Sequence, residues 1–248
     1  MLDRVTITGA DDATDPLEML DLALAYPWLE FGILVSRSRE GSPRYPSREW
    51  QERLLTHAHR MRLSMHVCGA WARCLLAGDI RWSALPVVRD AVRRVQINGD
   101  TPQLPRLSAS GLAMEISDRR LQLVFQYPRA MEYISACRDM GLNCAPLFDE
   151  SGGQGRQVRA WSDLPDWDYM GYAGGIGPED AAETIGTIMA FRKGPFWIDA
   201  EGRMRDDQRD DLDMKKVRRL LEICDGIIHR PAFDQLIWTA QERAEGRK

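Results

Sequence analysis

Eight short apolar, β-prone segments recur along this chain at an average spacing of about thirty residues, and that rhythm constrains the fold more than any other feature. The segments are Arg4–Thr8, Leu29–Val35, Arg62–Val67, Arg94–Ile97, Leu121–Gln126, Cys144–Phe148, Tyr169–Ala173 and Phe196–Asp199. Helical patterns fill the intervals at Pro16–Ala25, Arg48–Arg60, Gly69–Leu76, Arg129–Met140, Pro178–Phe191 and Met214–Cys224. Asp15, Pro16 and Glu18 form a capping-box-like start to the first helix, and Ser47 is placed to cap the second. Near-continuous apolar strands alternating with helices argue for a parallel sheet covered on its faces. Eight such units favour a closed (β/α)8, or TIM, barrel over an open doubly wound sheet, and 248 residues suit one barrel. The chain therefore reads as a single domain, 1–248, with 231–248 as a terminal helical extension. The stretch 100–117, with two prolines, carries little periodicity.

Two glycine-rich stretches sit at strand ends. The apolar run to Phe148 ends on Asp149 and opens into Glu150-Ser151-Gly152-Gly153-Gln154-Gly155. The run to Ala173 ends on Gly174-Gly175-Ile176-Gly177 and meets Pro178, a residue suited to the first turn of a helix. Glycine admits positive φ and close approach to the backbone, and a strand, a Gly-Gly turn and a helix N-terminus together offer N–H groups to an anion. One strand thus offers an acid and the next a phosphate cradle. In a (β/α)8 barrel, catalytic groups gather at the C-terminal strand ends, with phosphate after strands seven and eight.

Composition narrows the function class. A net charge of −4 gives no electrostatic case for nucleic acid. No apolar run approaches the roughly 18 residues of a membrane span, and the acidic N-terminus has no signal-peptide core, so a cytoplasmic protein is expected. Five cysteines, scattered and without metal spacing, read as reduced thiols. No metal and no cofactor are expected. The expected partner is a small, phosphorylated ligand, and self-association into a homo-oligomer stays open.

Several strand ends resemble those of phosphoribosylanthranilate isomerases. Thr6-Ile7-Thr8-Gly9 resembles the family's Lys-Ile-Cys-Gly opening. Ser42-Pro43-Arg44-Tyr45 resembles its second loop, and Val95-Gln96-Ile97-Asn98-Gly99-Asp100 its fourth strand. Leu147-Phe148-Asp149 with the following glycine loop and Trp161 resembles the Leu-Asp segment, and Gly174-Gly175-Ile176-Gly177-Pro178-Glu179 the phosphate loop. The matches span nearly the whole chain in order. The resemblance implies a (β/α)8 fold and an Amadori rearrangement in tryptophan biosynthesis, an aldose–ketose type of isomerisation. It implies Asp149 as general acid, Arg44 as the group that meets an aryl carboxylate, and a phosphate held by Gly152, Gly153, Gly174 and Gly175.

The chain departs from the pattern in two places. Thr8 stands where the family has its catalytic cysteine, and a hydroxyl is a far weaker acid than a thiol of pKa about 8.5. Thr8 would then orient substrate, and His66 or Cys68 on strand three would stand in as base. Each also has a plainer reading, His66 as a satisfied core histidine and Cys68 as a small packed residue. After strand eight, Glu201 replaces a phosphate-binding turn, and Arg203 or Arg205 is placed to offset its charge. Alternatively the loop's acids pair with its own arginines. Asn98 and Gln126 end strands four and five and are suited to hydrogen-bonding a sugar. Trp71 and Trp197 lie near strand ends, where they would stack on a planar ligand. The aspartates that follow strands one and eight, among them Asp11, Asp12, Asp206, Asp210 and Asp213, read as solvated faces. Two rival functions remain: a diverged lyase or isomerase on another substrate, and a non-catalytic metabolite-binding barrel.

Overall fold

Alternation of side chains along each strand decides how this sequence divides into layers. In the computed structural model, which describes residues 1–79, 81–98, 112–113, 116, 121–149, 158, 160–164 and 166–229, eight parallel strands close into one barrel in chain order. They are β1 (Leu2–Thr8), β2 (Leu29–Ser36), β3 (Arg62–Cys68), β4 (Arg94–Ile97), β5 (Gln122–Tyr127), β6 (Cys144–Phe148), β7 (Met170–Ala173) and β8 (Phe196–Ala200). Each lies where the sequence places it, to within two residues. Closure comes from β1 pairing with β8, where Thr6 faces Asp199 and Ile7 faces Ala200.

The outer layer contains α1 (Pro16–Ala25), α2 (Arg48–Leu55), α3 (Gly69–Ala77), α4 (Met131–Asp139), α5 (Ala181–Phe191) and α6 (Met214–Ile228). The starts of α1, α2 and α6 follow from their caps. Asp15 accepts from the Leu17 amide at 3.0 Å, Ser47 from Trp50 at 3.2 Å, and Asp213 from Lys215 at 2.9 Å. Three helices differ from the sequence reading, the last of them, α6, running to Ile228 rather than Cys224. The second stops at Leu55 and gives way to a 3-10 turn, Ala58–Arg60. The helix after β7 begins at Ala181, because Pro178, Glu179 and Asp180 form a turn in which the Gly177 carbonyl accepts from the amides of Asp180 and Ala181. The extension 231–248 and the loop glycines Gly152 and Gly153 lie outside the described residues.

The larger apolar cluster lies between barrel and helices, with Val5, Ile7, Phe31, Ile33, Met65 and Val67 pointing outward from the strands. The opposite phase fills the lumen. Val124, Ala145, Leu147, Ala173 and Trp197 make one half of it apolar. Thr6, Thr8, Glu30, Ser64, His66, Arg94 and Gln96 make the other half polar, and all seven are buried. Glu30 accepts from Arg94 Nη1 at 2.6 Å, Arg4 Nη1 at 3.0 Å and Thr6 Oγ1 at 3.0 Å. The Arg94 guanidinium lies 4.2 Å from the Trp197 ring centroid, which joins the two halves. Gly171 makes room for Trp197: a Cβ there would overlap the indole and come within 2.7 Å of Leu147 Cδ1.

Candidate active site at the barrel mouth

The inward phase of each strand, carried to its C-terminal end, sets the polar groups of the site. Thr8, Cys68, Asn98, Gln126, Asp149 and Asp199 continue the series Thr6, His66, Gln96, Val124, Leu147 and Trp197 by two residues each. Above them is a pocket whose empty volume of about 400 Å³ includes the open solvent of the mouth, lined by Gln96, Asn98, Gln126, Asp149, Asp199 and Glu201 together with Gly174 and Gly175. A larger cleft of about 760 Å³ lies outside the mouth, between α2 and the segment 83–89, with Trp71, Arg48 and Arg89 in its walls. It contains none of the strand-end carboxylates, so the smaller pocket is where the chemistry collects.

Two buried carboxylates face this pocket. Asp149, at the end of β6, is 3% exposed and accepts from Gln126 Nε2 at 3.0 Å. Asp199, on β8, is 7% exposed, and its Oδ1 accepts from Thr8 Oγ1 at 2.7 Å. Burial pushes the Asp199 carboxyl up to about 7; the Thr8 hydrogen bond opposes that rise, and the charges of Glu201 and Asp149 add to it. Thr8 is therefore tied to a carboxyl group poised to gain or lose a proton near neutrality.

His66 and Cys68 both face inward, as their spacing requires. The His66 Nε2 lies 3.1 Å from Ser64 Oγ and its Nδ1 lies 4.0 Å from Asp199 Oδ2. Burial drives the imidazole down to about 3, outweighing the pull of Glu30, so the ring is neutral and a poor proton acceptor near pH 7. Burial likewise pushes the Cys68 thiol up, despite hydrogen bonds from Asn98 and Tyr45 that favour the thiolate. Each residue suggested as the base is thus held in its neutral form. Gln96 Nε2 donates to Asn98 Oδ1 at 3.0 Å and Asn98 Nδ2 to Cys68 Sγ at 3.4 Å, so the wall from β3 to β6 is a run of side-chain amides.

The arginines of the mouth have partners inside the protein. Arg44 has φ 74°, a left-handed conformation that costs a non-glycine residue on the order of 1–3 kcal/mol and persists only where surroundings hold it. They do: its amide donates to Asp11 at 2.7 Å, Nη2 to Asp210 at 2.8 Å and Nη1 to Glu201 at 3.1 Å. Glu201 is thereby paired across the mouth, although its burial still raises its carboxyl above the usual range. Arg203 donates to Asp180, to Glu179 at 3.2 Å and to the Gly175 carbonyl at 3.2 Å. Arg205 holds the Gly9 carbonyl and Asp11.

The loop acids therefore pair with arginines of other loops as well as their own. The aspartates that read as solvated faces divide: Asp11 and Asp210 anchor Arg44 and Arg205, whereas Asp206 and Asp213 receive backbone amides. Trp197, expected near a planar ligand, is 1% exposed and packs on Tyr169 at 4.8 Å inside the lumen. The important residue missed by sequence reading is Asp199. Its signal was present: Trp197, Asp199 and Glu201 share one strand phase, and a carboxylate at the inward end of a barrel strand is suspect by position.

Comparison with known proteins adds the fold. No protein-family model and no curated protein matches this sequence. Among solved structures, TrpF from Jonesia denitrificans is similar over 90% of this chain and 97% of its own, at 15% identity and a TM-score of 0.57. A phosphoribosyl anthranilate isomerase, in complex with a reduced carboxyphenylamino-deoxyribulose phosphate, is similar over 91% and 100%, at 15% identity and a TM-score of 0.55. A phospho-2-dehydro-3-deoxyheptonate aldolase from Thermotoga maritima reaches 0.55 at 11% identity, over 91% and 68%. The barrel fold is shared with these proteins. Among the described residues no helix is long and apolar enough to cross a membrane.

Proposed function

We propose that the barrel mouth binds a small sugar-like or aryl-amine ligand and moves a proton from one of its carbons to the next, an isomerisation of the aldose–ketose or Amadori type. The observation that carries this reading is the pair of buried carboxylates, Asp149 and Asp199, lining one pocket from β6 and β8. Such a rearrangement needs one group to protonate a ring oxygen and another to take a proton from the neighbouring carbon. Asp149 is assigned the acid. Asp199, with Thr8 holding its Oδ1, is assigned the base, because burial makes His66 a weak proton acceptor and keeps Cys68 a protonated thiol. A carboxyl near pH 7 is matched to both halves of a proton transfer. The likeness to TrpF and to a phosphoribosyl anthranilate isomerase supports the choice of reaction by analogy of fold.

The test is turnover of N-aryl pentosylamines, with and without a terminal phosphate, in deuterated water. Wild-type protein should form the ketose with deuterium at the adjacent carbon, and Asp149→Asn or Asp199→Asn should each slow it about 100-fold or more. Stabilisation by these compounds with no turnover would instead make the barrel a metabolite-binding protein, and the catalytic assignment would fall.

A further inference from the structure

We infer that the ligand of this mouth carries a protonated amine among hydroxyl groups and no phosphate ester, an inference that rests on the mouth being a ligand site. Three observations lead to it. First, three arginines of the β2 and β8 loops are committed. Arg44 is bound to Asp210 and Glu201, Arg205 to Asp11 and Gly9, and Arg203 to Asp180, Glu179 and Gly175.

Second, the turn after β7 already holds an anion of its own. The Gly177 amide donates to Asp180 Oδ1 at 3.0 Å, and Arg203 grips the other oxygen of the same carboxylate. Arg203 lies flat on the turn: a Cβ added to Gly177 would come within 2.8 Å of its Nε. A phosphate entering there would have to displace Asp180 and Arg203 and then sit beside two carboxylates. Like charges at such range repel.

Third, the pocket presents acceptors. Asp199 is more than nine-tenths buried and lines the pocket, yet its Oδ2 makes no hydrogen bond to any described residue, and His66 Nδ1 lies 4.0 Å from it. Glu201 and Asp149 line the same space. The amide nitrogens of Gln96, Asn98 and Gln126 donate to Asn98, Cys68 and Asp149 within the wall. An ammonium group brings three donors and a charge opposite to these carboxylates, and hydroxyl groups bring further donors.

The inference is tested by calorimetric titration of the whole chain with ribitol, its terminal amino-deoxy analogue and its terminal phosphate ester. The amine should bind about tenfold or more tighter than ribitol, and the phosphate ester should bind more weakly than ribitol. In Glu201→Gln and in Asp199→Asn the amine's advantage over ribitol should fall to near parity. Tightest binding by the phosphate ester overturns the inference, as do equal affinities for all three. So does an amine that fails to bind at tens of millimolar, or a preference that survives both substitutions. Because this experiment needs no turnover, its failure leaves the acid–base reading standing. An amine that binds well but is never rearranged would sink that reading alone.

Discussion

Gly32 is the residue on which the mouth's geometry turns. It sits mid-strand in β2, level with Thr8 on β1 and Ser64 on β3. A Cβ there would lie 2.7 Å from His66 Nε2 and closer still to Thr8 Oγ1. Neither neighbour yields freely, since Thr8 is tied to Asp199 and His66 is 2% exposed. Gly32→Ala should therefore destabilise the fold by about 1–3 kcal/mol, as overpacking does. Urea unfolding checks this, and Thr8→Ala added to it should recover part of the loss. Independent, additive costs would show that the crowding is not at Thr8. At this scale Asp149 stood out because it ends an apolar strand, and Thr8 because of the family resemblance. The sequence did not reveal the partners of Arg44 and Arg203, because Asp210 and Asp180 are remote in sequence and only closure of the barrel brings them near.

Strands β2 and β4 reach across the lumen through Glu30 and Arg94, with Arg4 of β1 on the same carboxylate. Burial alone would raise the Glu30 carboxyl, but the two guanidinium groups outweigh it and hold it below the ordinary range. Arg94→Met leaves that charge with Arg4 alone and should cost about 3–5 kcal/mol, whereas Arg94→Met with Glu30→Leu should regain most of it. Equilibrium denaturation of both variants decides the matter, and a double variant no more stable than the single would mean the network does more than balance itself. The strands themselves were legible because period two and apolar content agree at each. Polar residues inside the lumen were not assigned to that role, since one strand cannot tell lumen from helix side. The late start of α5 was hidden for a related reason: Pro178 suits a first helical turn and also the preceding turn that it occupies.

For the whole molecule, proton linkage joins His66 and Asp199 in opposite senses. His66 falls from an ordinary 6.5 to about 3 on folding, so between those limits the unfolded chain binds the extra proton and stability rises with pH. Asp199 rises from 3.8 to about 7, so between those limits the folded chain binds the extra proton and stability falls with pH. The stabilisation it gives is complete below its unfolded value and is lost as pH climbs through 7. Where the two windows overlap, from 3.8 to 6.5, each contributes a slope of about 1.4 kcal/mol per pH unit, and the slopes cancel. Asp199→Asn should uncover the rising slope across that range and make the protein more stable than wild type at pH 8, where the native carboxylate is charged and buried. His66→Gln should uncover the falling slope instead. Urea midpoints measured for the three proteins across the range read out all of this. Parallel curves would mean that neither group changes its proton affinity on folding, and Asp199 would then lose its place as the proton-bearing group of the mouth.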